Sequence, residues 1–80
     1  MRMSPEQCKG ARAMLGWSRE LLGKSARVAV RTIIDFERGA RRPYDRTLAD
    51  IRRALEDDGI IFIDENGGGP GIRLKNRSGE

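Results

Sequence analysis

The stretch Ser18-Arg19-Glu20-Leu21-Leu22-Gly23-Lys24-Ser25-Ala26-Arg27-Val28-Ala29-Val30-Arg31-Thr32-Ile33-Ile34-Asp35-Phe36-Glu37-Arg38-Gly39 decides the fold. Ser18 is a natural N-cap, and Glu20 stands in the first turn, where the helix dipole favours an anion. Leu21, Leu22 and Ala26 supply the apolar side of this first helix at 3–4 spacing. Arg27-Val28-Ala29 interrupts it. A second helical segment then runs from Val30 to Arg38 and closes at Gly39. Its residues sort into two faces, Ile33, Phe36, Glu37 and Ala40 on one and Val30, Arg31, Ile34, Asp35 and Arg38 on the other.

Working outward from this pair, Ser4-Pro5-Glu6-Gln7 reads as a helix start. Ser4 is the N-cap, Pro5 the first helical residue, and Gln7 the partner that completes a capping box. Cys8, Ala11, Arg12 and Leu15 follow on one face. Downstream, Ala40-Arg41-Arg42-Pro43 breaks the helix and Asp45 opens another, with Leu48, Ile51, Ala54 and Leu55 inward and Arg46, Asp50, Arg52 and Arg53 outward. After Gly59 the period changes from 3.6 to 2. Ile60-Ile61-Phe62-Ile63 and Ile72-Arg73-Leu74-Lys75 flank a glycine-rich turn, the pattern of a β-hairpin. The expectation is a mainly α chain with helices over about 5–15, 18–26, 29–38 and 45–58. A hairpin over 59–75 and a disordered tail over 76–80 complete it.

Eighty residues suffice for one small domain. Its core is modest, so self-association is the expected support, because a single cysteine excludes an internal disulfide. The sequence has no histidine, which excludes zinc-finger spacing and histidine-based catalysis. There are 16 Lys and Arg against 12 Asp and Glu, and 13 of the cations are Arg. All of the excess lies in residues 1–58, with 13 cations and 9 anions, whereas residues 59–80 hold 3 of each. Arginine forks match phosphates and guanine edges, so the bias favours nucleic acid over a generic solvated surface. No apolar run reaches the roughly 18 residues of a membrane span, and the N-terminus lacks a signal peptide's apolar core. With a lone thiol, these features imply a cytoplasmic protein.

Two short helices about three residues apart match a helix-turn-helix. Trp17-Ser18-Arg19-Glu20-Leu21-Leu22, then Val28, then Thr32-Ile33-Ile34-Asp35-Phe36-Glu37-Arg38-Gly39-Ala40-Arg41-Arg42-Pro43, resembles the Cro/repressor-type (XRE) helix-turn-helix family of transcriptional regulators. The most specific part is Phe36-Glu37-Arg38-Gly39 with the basic residues and Pro43 after it, and the resemblance covers roughly residues 5–58. It implies that the third helix enters the major groove of double-stranded DNA while the second lies across the backbone. It also implies a structural ion pair between Arg12 and Glu37; otherwise both are surface charges. The chain departs from the family at three positions. Gly is usual at Arg27, Ser or Thr at Ala29, and Gln at Arg19.

On this reading Val30, Arg31, Ile34 and Asp35 are the base-reading candidates, unless they form an ordinary exposed stripe. Arg31 can fork onto guanine, Val30 and Ile34 can meet thymine methyls, and Asp35 can accept from cytosine or orient Arg31. Ser18, Arg19, Thr32, Arg38, Arg41 and Arg42 are the phosphate candidates; the plain alternative for each is a solvated side chain. The hairpin residues Ile60, Ile61, Phe62, Ile63, Ile72 and Leu74 carry apolar groups on both faces, which points to a homodimer and an inverted-repeat operator. The rival is a DNA-touching wing through Arg73 and Lys75. Cys8 reads as a small core residue. Gly67-Gly68-Gly69-Pro70-Gly71 lacks the features of a phosphate loop, and nothing makes Asp57, Asp58, Asp64 and Glu65 a cation site. No catalytic constellation, metal site, cofactor or small-molecule effector is evident. Two functions remain: a sequence-specific DNA-binding regulator, a repressor or autoregulator, and a protein-interaction module such as an antitoxin.

Overall fold

Ser4 begins the first helix as its sequence requires. Its hydroxyl accepts from the Gln7 N–H at 3.1 Å, and the Gln7 side chain accepts from the Ser4 N–H at 2.9 Å, so the capping box is closed. In the computed structural model, which describes residues 3–63 and 71–75, the chain forms α1 (Pro5–Leu15), α2 (Arg19–Ala26), α3 (Val30–Glu37) and α4 (Asp45–Asp57). The strands β1 (Ile60–Ile63) and β2 (Gly71–Leu74) follow as an antiparallel pair. Fold class and element order are those expected from the sequence, with helix ends moved by at most one residue. The tail over 76–80 and residues 64–70 of the hairpin turn, including Asp64 and Glu65, lie outside the described residues.

The core takes one stripe from each helix: Cys8 and Ala11, Leu22 and Ala26, Ile33 and Phe36, and Leu48, Ile51, Ala54 and Leu55. Leu21 departs from expectation. It is 41% exposed, because the eight-residue α2 turns Leu22, Gly23 and Ala26 inward and leaves its neighbour outside the buried arc. α2 packs on both α3 and α4, and α1 packs across α3, α4 and β2. Gly59, with φ of 108°, turns the chain from α4 into β1.

The hairpin register pairs Ile60 with Leu74, Ile61 with Arg73, Phe62 with Ile72 and Ile63 with Gly71. Opposed residues share a face. Ile60 and Phe62 are buried in the core, and Ile72 and Leu74 pack against it. This corrects the expectation that all six apolar hairpin residues meet a second subunit. Ile60, Phe62, Ile72 and Leu74 serve their own domain, and only Ile61 and Ile63 lie on the other face. Gln7, itself buried, fixes the hairpin to α1 by donating its side-chain amide to the Gly71 carbonyl at 3.0 Å. No helix among the described residues is long and apolar enough to cross a membrane.

Candidate nucleic-acid interface

The position of α3 is set at its two ends by different means. At its start, Arg27 takes the left-handed conformation, φ 60° and ψ 45°, to end α2. That conformation costs a non-glycine residue roughly 1–2 kcal/mol. The Val28 N–H donates to the Gly23 carbonyl at 2.9 Å, pulling the turn flat against α2. Gly23 permits this approach, since a Cβ there would stand 2.8 Å from the Val28 carbonyl oxygen. Ala29 then caps α3 with no side-chain hydrogen bond. Arg27 and Ala29, two of the three departures named above, thus leave the start of α3 with a strained residue and no side-chain cap.

At its other end, α3 is fastened by Glu37, whose side chain is fully buried. Both carboxylate oxygens are saturated. Oε2 accepts from Arg12 Nε at 2.8 Å and from the Cys8 thiol at 3.1 Å; Oε1 accepts from Arg12 Nη2 at 2.8 Å and Arg19 Nε at 3.1 Å. Arg12 spends its remaining Nη1 on the Trp17 carbonyl at 3.0 Å. Burial by itself would raise the Glu37 pKa; the hydrogen bonds from Arg12 and Cys8 outweigh it and hold the carboxyl below its ordinary value. The same bonding raises the Arg12 guanidinium. Burial, reinforced by the Glu37 hydrogen bond and charge, pushes the Cys8 thiol well up. The Arg12–Glu37 pair is thus the expected bridge. Cys8 is a core residue with a polar task as well. Arg19, expected only as a phosphate donor, is also a ligand of the buried carboxylate.

Between these ends the outward face of α3 carries the four base-reading candidates together. Arg31 is exposed, and Val30, Ile34 and Asp35 are half-buried. Arg31 Nε lies 3.6 Å from Asp35 Oδ1, one turn further along, which aligns the guanidinium with the helix face. The phosphate candidates divide into three groups. Ser18 and Arg19 stand at the start of α2, where the Ser18 hydroxyl caps the helix by accepting from the Leu21 N–H at 3.0 Å. Thr32, Arg41 and Arg42 line one cleft. Arg38 sits apart, at the C-cap of α3. Arg42 is not a free surface charge. It donates to the Met3 carbonyl at 3.1 Å and lies over the Phe36 ring, 5.6 Å from its centroid.

Of the lining residues not among the expected ones, Arg27 adds a cation to this cleft and Tyr44 an aromatic ring. Tyr44 is 86% exposed, an aromatic directly after Arg41-Arg42-Pro43; aromatic and basic residues side by side are a readable signal for nucleic acid. Asp50 is the one carboxylate on the cleft wall among the described residues. Arg27, Arg38 and Arg41 are exposed and make no ion pair among the described residues. No protein-family model matches the chain, and a search of curated proteins returns no match.

Proposed function

We propose that this chain is a sequence-specific DNA-binding regulator of transcription of the Cro/repressor helix-turn-helix type, acting from the cytoplasm as a homodimer on an inverted-repeat operator. The observation that carries the reading is the outward face of α3. Val30, Arg31, Ile34 and Asp35 sit there as a compact donor, acceptor and methyl-contact set, flanked by Arg27, Arg38 and Arg41, which make no ion pair among the described residues. A face of that kind matches the edge pattern of the major groove, and the flanking cations match the phosphates beside it.

The test is a titration of affinity against salt on random DNA and on a sequence selected for tight binding. Each phosphate neutralised contributes a slope of about −0.9 in log affinity against log salt. A slope near zero on both sequences rules the reading out. Arg31→Ala is expected to cost about 1–3 kcal/mol on the selected sequence and little on random DNA. Equal losses on both would demote Arg31 to a phosphate contact.

The outer hairpin face favours a second reading. Ile63 is 39% exposed beside Ile61, and β1 is an edge strand in a two-stranded sheet. In the first reading a second copy covers this face. In the second, a different protein covers it and the chain is an interaction module such as an antitoxin. A wild-type monomer that binds neither DNA sequence selects the second.

A further inference from the structure

The buried carboxylate of Glu37 touches one side chain that is largely open to solvent as well. Arg19 is 42% exposed, gives only its Nε to Glu37 Oε1, and has no hydrogen-bond partner at either terminal Nη among the described residues. Arg12, by contrast, has all three of its nitrogens engaged. The cluster of Arg12, Arg19 and Glu37 carries two positive charges and one negative. Glu20 also interacts with Arg12; the part of the cluster that reaches furthest into solvent is Arg19, one residue past the N-cap of α2. The Nε bond restricts where the guanidinium can sit and leaves both Nη groups without a protein partner among the described residues, available as a fork. That is the geometry a single phosphate accepts bidentately.

We infer that Glu37 is a positioning residue for a DNA phosphate contact made by Arg19, so that the carboxylate clamping α1 to α3 also aims a backbone contact. This rests on the DNA-binding reading and adds a role to a residue that never meets the DNA. An unheld arginine loses rotamer freedom when it binds; this one has already lost it on folding.

The experiment is a double-mutant cycle in DNA affinity over Glu37→Gln and Arg19→Met, with folding of each variant checked by circular dichroism at the assay temperature. Arg19→Met is expected to lower affinity about tenfold, the size of one charge-assisted contact, and to reduce the salt slope by about 0.9. Glu37→Gln is expected to lower affinity in the wild-type background and to have no effect in the Arg19→Met background. A charge-only account makes the opposite prediction, because removing the carboxylate leaves the cluster more positive and raises affinity. If Glu37→Gln raises affinity, or lowers it equally in both backgrounds, the positioning role is overturned. Should Glu37→Gln fail to fold, Arg19→Lys decides. Lysine keeps the charge but has a single nitrogen in place of the fork, so about a tenfold loss is expected, and unchanged affinity overturns the inference. Salt-dependent binding by the wild type with no effect of Arg19→Met sinks this inference alone. Absence of wild-type binding sinks the DNA-binding reading itself.

Discussion

At the scale of the residue, Glu37 accepts more side-chain hydrogen bonds than any other described residue. Removing one partner from a buried ion pair costs about 3–5 kcal/mol, so Arg12→Met is expected to destabilise by that order in urea denaturation. The pH dependence has a definite sign. In the unfolded chain a glutamate binds its proton near pH 4.3, whereas folded Glu37 stays ionised to lower pH. Stability present above that value is therefore lost as pH falls through the window beneath it, and Glu37→Gln flattens this acid limb. Cys8 is fully buried with its pKa raised, so its thiol is expected to react with iodoacetamide only at the rate of unfolding. Of this cluster, Arg12 and Glu37 were legible in the sequence, since an arginine on an apolar face demands a partner and the family resemblance implies Glu37. Arg19 was not. Its contact depends on how α2 and α3 are set against each other, which no local pattern encodes. Gln7 was legible as a cap and illegible as a latch, because its second partner is a carbonyl 64 residues away.

At the scale of the element, the four helices announce themselves through periodicity, α1 and α2 also through their serine caps, and α4 matches its expected inward set of Leu48, Ile51, Ala54 and Leu55 in full. The hairpin was legible as a hairpin and ambiguous in its facing. Four consecutive apolar residues give period-2 reasoning nothing to choose between, and only the packing of Ile60 and Phe62 settles it. The weak element is the start of α3. Ala29→Ser is expected to add about 1 kcal/mol by supplying the missing side-chain acceptor, raising the urea midpoint without changing the slope. Gly23→Ala should do the reverse. Its methyl would meet backbone at the Val28 carbonyl, and overpacking of that kind costs about 1–3 kcal/mol.

At the scale of the whole molecule, the two faces of the hairpin separate folding from the proposed assembly. Phe62→Ala is expected to cost about 3–5 kcal/mol, since that ring is part of the domain's own core. Ile63→Asp is expected to change stability by no more than about 0.5 kcal/mol while shifting sedimentation toward the monomer. Monomeric wild type at tens of micromolar would remove the dimer from the proposal. The unequal fastening of α3 has a further consequence, in time. Its C-terminal end is held by the saturated Glu37 carboxylate, whereas its N-terminal end follows a strained Arg27 and an uncapped Ala29. The helix should therefore open from one side, with its first-turn amides exchanging with solvent by local fraying and its last-turn amides only by global unfolding. A ligand seated on the outward face would close that gradient, making hydrogen exchange along eight residues a direct report of occupancy.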